Sequence, residues 1–261
     1  MNTRQTRIIA VANEKGGVGK TATVVNLGAA LSLNKKKVLI VDMDPQHGAT
    51  SGLGVQVEDD MAHTYDLMTT GEQVPAEDAI LNTKWKGLDL IPAHVDLAGA
   101  EVELINEPGR ENRLKEAFDG VVSEYDIVLL DTPPSLSLLT VNVFAFAREV
   151  IIPCQTHPYA YAALEDLFDT IYTIREEINP DLDITGIVAT FFDRRTRVSQ
   201  SIFDKLKTDE RYKNLLFNTI IRGNITIAAS SEVGKPVVFY RKGSYGTQDY
   251  LALAEELLKR Q

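Results

Sequence analysis

The chain is poor in the features that cross-link or anchor a protein. One cysteine, Cys154, stands among 261 residues, which excludes an intrachain disulfide and a metal cage of cysteine alone. That scarcity suits a reduced compartment, and a cytoplasmic location is the expectation. No apolar run approaches the ~20 residues of a membrane-spanning helix. The opening residues, Met1 to Arg7, lack the apolar centre of a signal peptide. Positive charge is also short. Lys and Arg number 27 against 37 Asp and Glu, a formal net charge of −10. Any binding to nucleic acid must therefore come from a local basic patch and not from overall charge. Internal repeats and low-complexity linkers are lacking too. Residues 1–6 read as an N-terminal tail on a single domain spanning 1–261.

What is present is a core and a regular pattern. Hydrophobic residues make up 44% of the chain, enough for a sizeable interior at this length. Apolar runs alternate with helix-period segments. The expected strands are Arg7–Asn13, Lys37–Met43, Leu88–Pro92, Asp126–Asp131, Glu149–Pro153, Ile184–Phe192, Leu215–Ile220 and Pro236–Tyr240. The expected helices are Thr21–Leu33, Leu97–Asn106, Glu111–Ser123, Ser137–Ala147, Tyr159–Ile178, Ser199–Thr208 and Gly246–Lys259. Continuous runs such as Val38-Leu39-Ile40-Val41 suit strands buried on both faces of a parallel sheet. The alternation predicts an α/β fold: a doubly wound, mostly parallel sheet with helices on both faces. Ligands of such sheets sit at the carboxyl ends of the strands.

The first of those ends carries Asn13-Glu14-Lys15-Gly16-Gly17-Val18-Gly19-Lys20-Thr21, and a helix follows. Glycines let the backbone wrap an anion and aim successive N–H groups inward. The helix start adds its positive dipole end. Lys20 can then reach the β- and γ-phosphates, and the Thr21 hydroxyl can serve Mg²⁺. A plain glycine-rich turn is the competing reading. Strand, loop, Gly-Lys-Thr and helix in that order speak against it. The strict phosphate-loop pattern sets a glycine where this chain has Glu14, and a second lysine, Lys15, follows. Two further strand ends carry aspartates. One runs into Asp42-Met43-Asp44-Pro45-Gln46, where a carboxylate beside the loop can orient water; Asp42 itself reads as a loop-ordering residue. The other, Tyr125 to Asp131, reads as a Walker B strand with Asp131 facing Mg²⁺. Prolines 133 and 134 stiffen the turn behind it.

The Lys15–Thr21 loop resembles the deviant Walker A motif of the ParA/MinD superfamily. Asp42–Gln46 is similar to the DxDPQ motif of that family, and Asp131–Pro134 to its DxPP switch segment. The likeness to ParA-type partition ATPases covers nearly the whole chain, continuing through Leu97–Leu104, Gly234-Lys235-Pro236 and Asp249–Leu257. Its motifs are highly specific over the first 134 residues and looser in the C-terminal third. The resemblance implies one P-loop domain that hydrolyses ATP with Mg²⁺ and dimerises face to face around two ATP molecules. It implies nucleotide contacts from Lys15, Gly16, Gly17, Val18, Gly19, Lys20, Thr21 and Ala22, with Arg222 and Pro236 beside the adenine. Lys15, Lys20 and Asp44 become the candidate catalytic residues, Lys15 acting across the dimer much as an arginine finger does. Thr21 and Asp131 become the candidate metal residues. The resemblance further implies an ATP-bound dimer that binds DNA without sequence preference on the nucleoid, released when a ParB-like partner stimulates hydrolysis.

Residues 193–213 carry seven Lys or Arg against four Asp or Glu. Arg194, Arg195, Arg197, Lys205 and Lys207 are the candidate DNA-binding residues, with Arg195 best matched to the family. A solvated helix face of mixed charge is the alternative. The chain also departs from the family. His47-Gly48 replaces Gly-Asn after the second motif, Gly223 and Thr226 stand where family arginines often occur, and Ala229 replaces a frequent glutamate. Arg222, Arg241 and Lys242 are available to compensate. Three other outputs compete with partition: a regulatory switch read by a protein partner without DNA, a MinD-like membrane-cycling regulator, and a metabolic P-loop ligase. A MinD-like tail would be a basic amphipathic anchor. Here Glu255 and Glu256 precede a single basic pair, so core packing of the last helix, with no membrane partner, is the better reading. The lack of cysteines excludes an iron–sulfur relative. The four histidines (His47, His63, His94 and His157) show no metal-ligand spacing.

Overall fold

Alternate residues of the central strands feed two separate cores. Ile8, Ala10, Leu39, Val41, Val128 and Leu130 point to one face of the sheet. Ile9, Val11, Val38, Ile40, Ile127 and Leu129 point to the other. Both faces are covered, which is why these strands read as unbroken apolar runs. The structure, a computed structural model, describes residues 5–69, 74–118 and 120–260. The expected tail residues 1–4 and one position of the expected helix Glu111–Ser123 lie outside the described residues.

The strands are β1 Arg7–Val11, β2 Val38–Asp42, β3 Leu81–Asn82, β4 Leu88–Ile91, β5 Ile127–Asp131, β6 Glu149–Gln155 and β7 Asp183–Thr190. They form one sheet in the order β3-β4-β2-β5-β1-β6-β7. Each neighbouring pair is parallel except β3 against β4. The helices are α1 Lys20–Leu33, α2 Gly48–Gly52, α3 Thr64–Met68, α4 Leu97–Glu103, α5 Arg113–Ala117, α6 Leu138–Phe146, α7 Pro158–Ala162, α8 Leu164–Glu177, α9 Arg197–Thr208, α10 Ile225–Glu232, α11 Val237–Tyr240 and α12 Tyr245–Lys259. Residues of α1, α2, α11 and α12 pack into the core on one face, and residues of α3 to α9 into the core on the other. In register, Val11 pairs with Asp131 and Asp42 also pairs with Asp131. The carboxyl ends of β1, β2 and β5 therefore lie side by side.

The structure corrects several expected elements. Pro236–Tyr240 is not a strand. Pro236 stands at the N-cap of α11 with an extended backbone, and its carbonyl accepts from Phe239 and Tyr240 N–H at 2.9 Å. Val237 N–H donates to Asn26 Oδ1 of α1 at 2.7 Å. Leu215–Ile220 forms only one isolated bridge, Leu216 to Ile187. Ile187 N–H donates to the Leu215 carbonyl and Phe217 N–H to the Ile187 carbonyl, at 2.9 Å each, and side chains in α12 and at its C-cap add further bonds. Arg260 donates to the carbonyls of Leu215 and Leu216, and Glu256 accepts from the N–H groups of Asn218 and Thr219. The expected Glu111–Ser123 helix shortens to α5; Gly120 beyond it sits at φ +90°. The expected Tyr159–Ile178 helix is two helices meeting at Ala163.

Candidate functional site

The phosphate loop is held from below by side chains. Asn13 donates its amide to the Pro153 carbonyl at 2.8 Å and accepts the Lys15 N–H at 2.9 Å. Thr190 donates its hydroxyl to the Val18 carbonyl at 2.8 Å. Thr132 does the same to the Val11 carbonyl at 3.0 Å. Gly17 and Gly19 adopt φ +73° and +93°, a region that other residues enter only with strain. At Gly19 a Cβ would also come within 3.4 Å of the Phe191 ring.

The two lysines of the loop are placed differently. Lys20 is buried, and its Nζ donates to the Lys15 carbonyl at 3.3 Å. Burial pushes its pKa down, while Asp131 and Asp44 pull it back up. The Lys15 side chain is exposed at the surface of the site. Of the two lysines, one is thus buried within the loop and the other is exposed.

Three aspartates converge on the same point. Asp131 is fully buried, and its oxygens have no partner beyond the Thr21 hydroxyl beside it. Burial raises its pKa well above the ordinary carboxylate value, Asp42 raises it further, and the Thr21 hydroxyl and Lys20 oppose. A buried carboxylate with so few partners is costly to ionise unless a cation is near. Together with the Thr21 hydroxyl it offers the hard oxygen donors that Mg²⁺ takes, so the residues fit that ion. Asp42 differs. Its oxygens accept from Asp44 N–H at 3.2 Å and from the Thr50 N–H and hydroxyl at 2.8 Å each. It orders the loop that carries Asp44, as its sequence context suggested. Asp44 accepts the Gln46 N–H at 2.9 Å. His47, in place of the family glycine, turns the chain at φ +46°. Gly48 follows within 3.0 Å of Thr21 Cγ2, measured from where a Cβ would stand.

Beside the loop lies an apolar cavity of about 160 Å³. Gly19, Ala22 and Arg222, three of the expected nucleotide contacts, line it. Pro236 is buried and does not line it. Sequence reading missed Phe191, Ile227 and Tyr250, which form other parts of its wall. Phe191 holds φ +51° at the carboxyl end of β7, where ligand contacts concentrate in this sheet class; that position was the available signal. Arg222 is not free to swing. It makes a two-pronged pair with buried Asp249, at 3.0 and 2.5 Å, and lies 4.1 Å over the Tyr245 ring.

The basic segment lies elsewhere. Arg194, Arg195, Arg197, Lys205 and Lys207 are all exposed. Arg195 is clasped by Asp193 through Nε at 2.9 Å and Nη2 at 2.8 Å, which holds the Asp193 carboxyl down at about 2. Arg197 opens α9 and the two lysines close it, about 12–15 Å further along the axis. The structure spreads these charges along a helix and does not gather them at one point.

Fold and loop together define a P-loop protein whose phosphate cradle carries two lysines. A family model described as an AAA domain matches residues 6–184. The chain is 39% identical to the chromosome partitioning protein ParA of Myxococcus xanthus (strain DK1622), over 97% of this chain and 88% of that one. It is 41% identical to the sporulation initiation inhibitor protein Soj of Bacillus subtilis (strain 168), over 96% of this chain and 98% of that one. A solved structure of cobyrinic acid a,c-diamide synthase from Mycobacterium smegmatis, with bound ADP and magnesium, matches at TM-score 0.82 and 34% identity, covering 98% of this chain and 95% of that one. The chain belongs to the ParA/Soj branch of the ParA/MinD P-loop ATPases.

Proposed function

We propose that this ATPase works as a partition or positioning switch, in which ATP binding drives dimerisation, the dimer holds DNA without sequence preference, and a ParB-like partner resets it by stimulating hydrolysis. The observation that carries the reading is the split between the two loop lysines: Lys20 buried in the cradle, Lys15 exposed beside it. Lys20 and the loop N–H groups bind the phosphates of ATP. Thr21 and Asp131 hold Mg²⁺, which supplies charge neutralisation at those phosphates. Asp44 orients water. Lys15 completes the site of a second copy. A cytoplasmic, nucleoid-associated location follows from that cycle.

Two competing outputs are less well supported. No helix among the described residues is long and apolar enough to cross a membrane, and Leu253 and Leu257 of α12 are buried in the core. That leaves little apolar face for a membrane anchor. Glutamine-dependent amide synthesis through a thiolate needs an accessible, acidified cysteine. Cys154 is buried, and burial pushes its thiol up to about 12.

The test is binding of the full chain to random-sequence duplex DNA with ATP and Mg²⁺ across a salt series. Affinity should fall steeply with salt, by about 0.9 decades per decade for each phosphate contact. Arg195→Ala should reduce that slope by about one contact. Asp193→Asn should increase affinity by releasing Arg195. No ATP-dependent binding at low salt would leave the protein-partner switch as the function.

A further inference from the structure

The fold brings together two histidines that are far apart in sequence. The His63 and His94 rings stack, with centroids 5.0 Å apart and planes 19° from parallel. His63 stands at the N-cap of α3, and the next residue, Thr64, donates its N–H to the Pro92 carbonyl at 2.9 Å. That bond pins the start of α3 against the end of β4, where His94 follows. Asp96 Oδ2 lies 3.0 Å from His94 Nδ1. His63 Nδ1 is buried and makes no hydrogen bond. Asp66 Oδ2 is 3.2 Å from it, and the same oxygen accepts the His63 N–H at 2.8 Å.

We propose that His63, His94 and Asp96 form a binding site for a divalent transition-metal ion of the zinc class, distinct from the Mg²⁺ site of the phosphate loop. One donor atom from each residue lies within 4.8 Å of the others. Around an ion held at ~2.0–2.1 Å, donors sit about 3.3 Å apart. His94 is partly exposed and Asp96 largely exposed, so their side chains can close the remaining distance. The half-buried His63 provides the fixed point. Two imidazole nitrogens and one carboxylate oxygen suit zinc, nickel or copper and are a poor set for Mg²⁺ or Ca²⁺. Asp66 or water supplies a fourth donor. The ion would tie α3 to the β4–α4 loop. That loop also reaches the nucleotide site, since Ala93 N–H donates to Thr50 Oγ1 at 3.0 Å and Thr50 Oγ1 donates to Asp42.

The test is competition between the tag-free full chain and a chromophoric chelator for Zn²⁺ alone, with millimolar Mg²⁺ present to fill the phosphate-loop site. The native chain should bind one equivalent. His63→Ala and His94→Ala should each weaken binding at least tenfold, while His157→Ala leaves it unchanged. Far-UV circular dichroism checks that the variants fold. As a readout on the native chain alone, Co²⁺ should give visible absorption bands of a nitrogen–oxygen site that one equivalent of Zn²⁺ abolishes. No zinc bound at micromolar concentration, or binding that survives loss of both His63 and His94, overturns the proposal.

Discussion

Asp42 and Asp131 are neighbours in the sheet register and both fully buried, yet they face opposite situations. Asp131 has only the Thr21 hydroxyl beside it, whereas Asp42 has three donors. Those donors moderate the cost of burying Asp42 but do not cancel it. Desolvation, the largest cause, lifts its pKa from 3.8 to about 6. The sign of the consequence follows from which state holds the proton. Between pH 3.8 and about 6 the folded chain binds a proton at Asp42 and the unfolded chain does not. Stability from this group is therefore greatest below that window and falls as pH rises through it. A shift of two units corresponds to roughly 3 kcal/mol. Against Asp42→Asn, which cannot titrate, the native chain should gain stability on going from pH 7 to pH 4.5. Urea unfolding of both proteins at the two pH values measures it. A gap that stays constant with pH would show that Asp42 carries no such penalty.

Elements were legible where they follow one local rule and obscure where contacts from residues distant in sequence decide the outcome. β1, β2, β4, β5, β6 and β7 each fall within two residues of their expected bounds at both ends, because burial on two faces leaves an unbroken apolar signature. The phosphate loop was equally readable, since glycine freedom and lysine reach are local properties. Three features were not. The run Val237-Val238-Phe239-Tyr240 is β-rich in composition, but Pro236 at its start and Asn26 from α1 turn it into a helix. His63 and His94 meet only through the packing of α3 on β4. The 215–220 segment keeps two backbone bonds to β7, from Ile187 to Leu215 and from Phe217 to Ile187, and Arg260 and Glu256 bond the groups around them. Arg260 donates to the carbonyls of Thr185, Leu215 and Leu216 and lies 3.7 Å over the Phe217 ring. Gly186 makes the approach possible, as a Cβ there would stand 2.6 Å from the Leu215 carbonyl oxygen. Arg260→Ala should cost about 1.5–3 kcal/mol, the range for bonds to a charged donor. Arg260→Lys should recover little, because a single ammonium cannot span three carbonyls as a planar fork does. Denaturant midpoints with an unchanged slope check both, and a midpoint equal to the native one would mean that α12 is held by its leucines alone.

At the scale of the whole molecule, an acidic chain presents one exposed lysine at the mouth of a site that already has a buried one. In the proposed cycle Lys20 binds the nucleotide within one copy. Among the described residues no acceptor of its own chain engages the Lys15 ammonium, and an exposed ammonium beside a phosphate cradle is best used by a second copy facing it. Lys15→Gln keeps the length of the side chain and removes the charge. It should still bind ATP but lose most ATP-dependent dimer and lower turnover by about a hundredfold or more, in line with the loss of a trans-acting cation. Sedimentation velocity with a non-hydrolysed ATP analogue and a phosphate-release assay report these two effects. The arrangement also makes a mixing prediction that a cis role does not. Lys20→Ala lacks its own phosphate lysine but retains Lys15, whereas Lys15→Gln has an intact cradle. Neither turns over alone. Mixed, they can form a dimer in which the intact cradle faces the intact Lys15, and that one site should hydrolyse ATP. Rescue on mixing identifies Lys15 as the partner's residue; an inactive mixture in which the mixed dimer is present means that Lys15 acts within its own chain.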